Sequence, residues 1–332
     1  AVVFYSAYPF APIASELTAF SMSSTETSTS TSEMRRLSRF GFSLAASRAA
    51  YIGGCTATSN VLAGRLFGIP VRGTHAHSWV MSFDTELEAF DAYAKAMPNN
   101  CIFLVDTYDT LEGVRHAVEA GKRLRERGHE MVGVRLDSGD LAYLSIEARK
   151  LLDQGGFPKA AIVATNDLDE GIIASLKDQG ATIGVWGVGT KLATAYDQPA
   201  LGGVYKLAVV KNARGEWQHK VKLSEQAIKT STPGILQVRR YTGQGEAKLD
   251  MIFDVLLGVP ANPVIVDPLD PTRRRPIPAD LRSEELLVPV LRKGRCVYEA
   301  PPLASVRAQA QKQLGMFHAG IKRFVHPHQY PV

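Results

Sequence analysis

From residue 101 the chain alternates short apolar runs with longer segments that carry one apolar face. Cys101 to Val105, Met131 to Val134, Ala161 to Ala164 and Thr182 to Trp186 have the length of buried strands, and Leu111 to Arg127, Leu141 to Leu152 and Ile172 to Leu176 show helical spacing between them. Upstream, Ser43 to Tyr51 is alanine-rich and helix-compatible, and Gly53-Gly54 breaks it. Thr58-Ser59-Asn60 caps a second helix that ends near Gly68. Leu87, Phe90, Ala94 and Met97 recur at helical spacing behind Asp84 as a cap, and Pro98 stops them.

After Gly202-Gly203 the pattern changes. Val204 to Val210 and Trp217 to Leu223 flank Asn212-Ala-Arg-Gly215 as a β-hairpin, with further strand-like runs at Leu236 to Tyr241 and Met251 to Val255. Pro260 to Pro278 reads as extended loop, and Ala304 to Leu314 as a last helix. Strands alternating with helices imply parallel pairing with right-handed crossovers. Polar groups follow every strand: Asp106 and Asp109, then Arg135 to Asp140, then Thr165-Asn166-Asp167, then Gly187 to Thr190. A site assembled from successive strand ends is the layout of a (β/α) barrel, whereas a doubly wound sheet gathers such groups only at its switch point. The expected fold is therefore α/β: residues 34–203 as a barrel core with active-site loops, and residues 204–332 as an antiparallel β-rich module and C-terminal helix. Residues 1–33, with the polar run from Ser21 to Glu33, are left unassigned as low-complexity or disordered.

Composition changes little in this picture. The 332 residues are 45 % hydrophobic and 21 % charged, an ordinary globular balance. A net charge of +5 and a pI near 9.0 suit anionic ligands. The clusters Arg273-Arg274-Arg275 and Arg292-Lys293-Gly294-Arg295, however, read as solvated surface, so no nucleic acid is expected as a partner. Cys55, Cys101 and Cys296 lie too far apart for a disulfide framework or a spaced zinc site, which points to a reducing, cytoplasmic compartment. No apolar run reaches membrane-spanning length, and Ala1 to Phe20 lacks the basic leader of a signal peptide.

The candidate chemistry centres on Gly73-Thr74-His75-Ala76-His77-Ser78-Trp79. Histidines two apart on extended chain face opposite ways, which weakens a shared metal site. His75 reads either as a hydrogen-bonded core residue or as part of the site. His77, between the hydroxyls of Thr74 and Ser78, can serve as a base or as a nucleophile toward a phosphoryl group. Gly187-Val-Gly189-Thr190, and more weakly Gly202-Gly203, offer backbone N–H groups to a phosphate. Neither is a Walker loop or a dinucleotide fingerprint. Arg135 and Asp137 are either a structural salt bridge or a guanidinium grip for a carboxylate or phosphate.

Six spaced blocks then fall into order: Ala49 to Gly54, Thr58 to Gly64, Gly73 to Ser78, Gly133 to Leu141, Gly187 to Thr190 and Leu201 to Leu207. In these, from about Arg35 onward, the chain resembles nicotinate phosphoribosyltransferase. The resemblance implies an irregular (β/α) barrel of the type II phosphoribosyltransferase kind and a homodimer acting in NAD salvage. It implies transfer of a phosphoribosyl group from phosphoribosyl pyrophosphate to nicotinate, with ATP as co-substrate and Mg²⁺ held mainly by phosphates rather than by a protein cage. By motif position His77 is the phosphoryl acceptor, and Thr74 and Arg135 contact nicotinate. Thr190, with Gly189, contacts the phosphoribosyl group. Arg35 and Arg36 lie near the phosphates, Asp137 near the ribose and Gly202-Gly203 near the phosphate. His75 is left to a structural role.

The resemblance also implies an N-terminal domain carrying a tyrosine that stacks on nicotinate across the dimer. Ala1 to Glu33 resembles nothing in that domain, and Tyr5 and Tyr8 do not supply the tyrosine, so the chain is expected to be N-terminally truncated or divergent. The alternative to an active enzyme is a catalytically impaired barrel that only binds phosphorylated ligands or partners.

Overall fold

A computed structural model describes residues 2–4, 31–200, 206–225, 231–267 and 270–332, with side chains described outside 2–4 and 31–40. The chain forms two compact units, Ala1–Ala200 and Leu201–Val332.

The first unit is built on a parallel sheet of β1 (Val2–Phe4), β2 (Ala57–Thr58), β3 (Ile102–Leu104), β4 (Gly133–Leu136), β5 (Ala161–Ala164) and β6 (Val185–Val188). Across the sheet the order is β2-β1-β6-β5-β4-β3, every pair parallel. A doubly wound sheet reverses direction at a switch point. Here the strands run 3-4-5-6-1-2, the succession of a (β/α) barrel with a single break between β2 and β3. The break has a filler: Val71 bridges Thr58 in parallel, and the Leu104 N–H donates to the His75 ring at 3.2 Å. Residues 71–75 thus reach from one edge strand to the other.

The helices are α1 (Thr31–Gly53), α2 (Val61–Phe67), α3 (His77–Val80), α4 (Glu86–Ala96), α5 (Thr110–Glu126), α6 (Leu141–Gln154), α7 (Glu170–Asp178) and α8 (Thr190–Ala193). On α5, Val114, Ala117, Ala120, Gly121 and Leu124 are buried at helical spacing. The helix lies so close to the sheet that a Cβ on Gly113 would meet the Val105 carbonyl oxygen at 2.0 Å. Phe90, Phe103, Leu104, Leu124, Leu136, Leu152 and Ile162 fill the core.

The second unit is antiparallel. β7 (Val209–Lys211) and β8 (Trp217–His219) form the expected hairpin. β9 (Leu236–Gly243) and β10 (Glu246–Asp254) join through Gln244-Gly245, both at positive φ, as a two-residue turn of the type that matches strand twist. β11 (Val264–Val266) pairs with β12 (Arg274–Pro276), β13 (Arg282–Glu285) pairs with β9, and β14 (Leu291–Arg292) pairs with β15 (Arg295–Cys296). α9 (Leu303–Gly315) follows. Tyr241, Leu249, Met251 and Ile277 make a small core.

Several expectations shift. Residues 1–33 are not all outside the fold: Val2–Phe4 is an interior strand between β2 and β6, too short to show periodicity, and α1 already begins at Thr31. β4 starts at Gly133 rather than Met131 and therefore contains Arg135. β6 runs through Gly187, which reads as a turn but lies opposite Val3. The cap of α4 is Thr85, not Asp84, in a reciprocal capping box with Glu88. Pro260 to Pro278 is not all loop, since it holds the short β11–β12 ladder.

Candidate functional site

The parallel strands end on one edge, and the loops beyond β3, β4 and β5 bring the chemistry together. Asp106 and Thr107 follow β3, Asp137 and Ser138 follow β4, and Thr165 follows β5. The segment filling the break delivers Thr74, His75 and His77, the last as the first residue of α3.

Arg135 sits inside β4 with its guanidinium at the edge, its side chain 13 % exposed. Nε donates to the Thr165 hydroxyl at 3.0 Å, Nη1 to the Thr74 hydroxyl at 2.6 Å, and Nη2 to Asp137 Oδ1 at 3.4 Å. The Thr165 hydroxyl also donates to Asp137 Oδ1. The Thr74 hydroxyl donates to the His75 carbonyl at 3.0 Å.

His77 is held at Nδ1 by the Thr107 hydroxyl at 3.1 Å. Its Nε2 faces two carboxylates, Asp137 Oδ2 at 3.5 Å and Asp106 Oδ1 at 3.9 Å. Asp106 is almost wholly buried: Oδ2 accepts from the Asp137 N–H at 2.9 Å and the Ser138 hydroxyl at 2.6 Å, while Oδ1 is buried without a hydrogen-bond partner. Unpartnered buried carboxylate oxygens also occur at Glu86, beside the His116 imidazole, and at Asp91, so Asp106 Oδ1 marks a place for a ligand only together with the His77 and Asp137 groups around it.

His75 does different work. Its Nδ1–H donates to the Ala76 carbonyl at 3.3 Å and its Nε2 accepts from Leu104 N–H at 3.2 Å, with Tyr93 edge-on at 4.7 Å. Burial, reinforced by the nearby Arg135 and His77, pushes its pKa down from 6.5 to about 4. A neutral ring is required there, because the charged form could not accept from Leu104.

The remaining expected residues are less closely joined. Gly189 caps α8 and Thr190 begins it, both at the end of β6 and so on the same edge of the sheet. Arg35 and Arg36 lie in α1, with side chains outside the described residues, and Gly202 and Gly203 lie outside the described residues altogether. Asp106, Thr107, Ser138 and Thr165 are site residues that the motif reading did not assign. The signal for Thr165 was present, since it directly follows β5, whereas Asp106 stands two residues beyond β3 and shares its loop with Asp109. Thr165 is followed by Asn166 at a φ of 92°, a left-handed conformation uncommon for a residue with a Cβ and a further mark of this edge. Asp109, Asp140 and Asp169, which share the strand-to-helix loops, instead cap α5, α6 and α7.

The three cysteines are free thiols. Among the described residues no helix is long and apolar enough to cross a membrane, and no group of three or more His, Cys, Asp or Glu is arranged to hold a metal ion.

The Nicotinate phosphoribosyltransferase (NAPRTase) family model matches residues 21–243, and that of the Nicotinate phosphoribosyltransferase C-terminal domain matches residues 237–332. Nicotinate phosphoribosyltransferase from Bacillus subtilis is 41 % identical over 303 residues, covering 90 % of this chain and 61 % of that protein. The Dictyostelium discoideum protein of the same name is 35 % identical over 346 residues, covering 87 % of this chain and 58 % of that one. The crystal structure of human nicotinic acid phosphoribosyltransferase superimposes with a TM-score of 0.70 at 29 % identity, covering 86 % of this chain and 64 % of that one. The chain spans about three fifths of the length of these curated relatives.

Proposed function

The chain belongs to the nicotinate phosphoribosyltransferase family, and from that premise we propose that it joins nicotinate to the phosphoribosyl group of phosphoribosyl pyrophosphate, coupled to ATP through a phosphohistidine at His77. The observation that carries this reading is the Asp137 carboxylate, which touches the Arg135 guanidinium with one oxygen and faces the His77 imidazole with the other. A group suited to a substrate carboxylate and a group suited to phosphoryl chemistry thus share one anchor.

Arg135 takes the nicotinate carboxylate. Thr74 and Thr165 fix the guanidinium through neutral hydroxyls, which orient it without cancelling its charge. Nicotinamide, lacking that carboxylate, is the poorer substrate. The pyridine nitrogen attacks the anomeric carbon as the bond to pyrophosphate breaks, and the ribose gains oxocarbenium character that Asp137 stabilises. The backbone N–H groups at Gly189-Thr190, with Arg35, Arg36, Gly202 and Gly203, receive the phosphates.

At His77, Nδ1–H donates to the Thr107 hydroxyl, so that the lone pair on Nε2 attacks the γ-phosphorus of ATP. The bond to the β,γ-bridging oxygen breaks and ADP leaves. The phosphoryl group then lies beside Asp106 and Asp137, and like charges so close need a cation. The donor set fits Mg²⁺, which characteristically uses one or two carboxylates together with substrate phosphates. Asp106, through its orphaned Oδ1, and Asp137 would hold it. When bound, the ion neutralises charge on the phosphates. The same reading makes the protein a homodimer of a reducing, cytoplasmic compartment acting in NAD salvage.

The test is incubation of the purified chain with radiolabelled ATP, followed by addition of nicotinate and phosphoribosyl pyrophosphate. Acid-labile label lost in His77→Ala, and mononucleotide formed by the parent chain, are the expected results. Label that persists in the variant overturns the role of His77. Label without product supports the binding-only alternative.

A further inference from the structure

The second unit contains a cleft of about 400 Å³ between β10, β12 and the C-terminal segment, a volume in the range of small-molecule sites. Lys248, Arg275, Arg323, His318 and His328 line it, against a single acid, Glu246. Lys248 pairs with Glu246 at 2.6 Å. Arg275 and Arg323 make no ion pair among the described residues, although neighbouring Arg273 finds Asp267 and Asp270. The excess cations are thus concentrated on one concave surface, unlike a solvated face with interspersed signs.

The cleft is also constructed. Ala247 N–H donates to the Met316 carbonyl, Asp250 N–H to that of Pro331 and His328 N–H to that of Gly320, which fixes the C-terminal segment against β10. Gly320 lies where a Cβ would come within 3.1 Å of His318 Nδ1 and 3.6 Å of His328 Cβ, so glycine lets the turn close against the His318 ring. His318 Nδ1 accepts from Gly320 N–H at 3.0 Å. In the neutral ring this leaves the proton on Nε2, available as a donor. Ile321 and Tyr330 supply apolar lining. The Tyr330 ring is fixed by its hydroxyl donating to Asp250 at 3.0 Å and by Phe317 edge-on at 5.0 Å.

We propose that this cleft, lined wholly by residues of the second unit, binds a phosphate-bearing organic anion of nucleotide size. Guanidinium and imidazole donors match phosphate oxygens. The fixed aromatic and aliphatic lining gives the ligand's uncharged part a surface that bare pyrophosphate would leave uncovered.

Calorimetric titration of the full chain with adenosine diphosphate and with inorganic pyrophosphate tests this. The parent is compared with an Arg275→Ala/Arg323→Ala variant and with Glu246→Gln, folding being checked by circular dichroism. In the double variant one equivalent of adenosine diphosphate is lost or weakened roughly tenfold or more, as expected for removing charged hydrogen bonds. Glu246→Gln tightens the same equivalent by releasing Lys248. Identical isotherms for parent and double variant overturn the site, as does weaker binding in Glu246→Gln. Pyrophosphate binding as tightly as the nucleotide overturns the organic half of the ligand.

Discussion

Two arginines, one in each unit, are buried to nearly the same degree and are held in opposite ways. Arg240 is 12 % exposed and grips Asp250 with two parallel bonds of 2.8 and 2.7 Å, while Gln313 accepts a third at 2.7 Å and the guanidinium lies over Phe317 at 4.9 Å. Arg135 is 13 % exposed, and its short bonds go to the Thr74 and Thr165 hydroxyls, with Asp137 at 3.4 Å. A bidentate carboxylate neutralises a buried guanidinium and locks two strands together. Hydroxyls aim it and leave much of its field intact. Equal burial therefore distinguishes nothing; what separates the two is the hold of the carboxylate, short and bidentate on Arg240, single and at 3.4 Å on Arg135.

The contrast breaks most visibly in stability. Arg240→Ala leaves Asp250 buried without its cation, and loss of one partner of such a pair costs about 3–5 kcal/mol. Denaturant unfolding of the variant measures this directly. A loss no greater than that of a surface ion pair, below about 1 kcal/mol, would remove the distinction between the two arginines.

The next effect arises at His75, whose burial beside Arg135 holds its pKa at about 4. In the unfolded chain it titrates near 6.5, so between these values the unfolded state binds more protons. The stability His75 contributes is fully present above about pH 6.5 and is lost as pH falls toward 4. The span corresponds to roughly 3 kcal/mol. Unfolding free energies measured across that window should slope accordingly and flatten in His75→Asn. Because Arg135 is one cause of the depression, Arg135→Ala should raise the His75 pKa, as read by proton resonances of the ring. An unmoved pKa would mean that the Arg135 charge is already screened, contrary to the comparison.

Arg135→Ala itself should weaken nicotinate binding by about 1.5–3 kcal/mol, or about 10- to 100-fold, with a smaller stability loss than Arg240→Ala. Nicotinamide binding should change little. Arg135→Lys should recover only part of the affinity, because an ammonium cannot present the fork that a carboxylate accepts. Equal losses for acid and amide would point to collapse of the pocket rather than loss of a carboxylate partner.

Much of the first unit was legible because its signals are local. Asn60 caps α2 and Gly68 ends it in a left-handed conformation, as their residue types imply, and Ala161–Ala164 is a strand at the bounds its apolar run gives. What escaped depends on distant chain. Val2–Phe4 is a strand only because β2 and β6 pair with it, and Gly187 belongs to β6 because Val3 lies opposite. The site divides similarly. Thr74, Arg135 and Asp137 are joined by hydrogen bonds, but the carboxylates facing His77 come from two different strand ends, and a linear reading cannot tell Asp106 from Asp109 three residues on.

That pair gives the smallest and most selective prediction. Asp109 accepts from the Glu112 N–H at 2.9 Å at the start of α5, whereas Asp106 accepts from Asp137 and Ser138 and faces His77. Removing an N-cap carboxylate costs about 1 kcal/mol and acts through the helix alone. Asp109→Ala should therefore lower the unfolding midpoint slightly while leaving the acid-labile labelling of His77 unchanged. Asp106→Asn, which keeps the shape and loses the charge, should reduce labelling while altering stability little. If Asp109→Ala impaired labelling as much as Asp106→Asn, the loop beyond β3 would be acting as a single element. The division between acids that cap helices and acids that serve the site would then fail at the strand end where the two lie closest together.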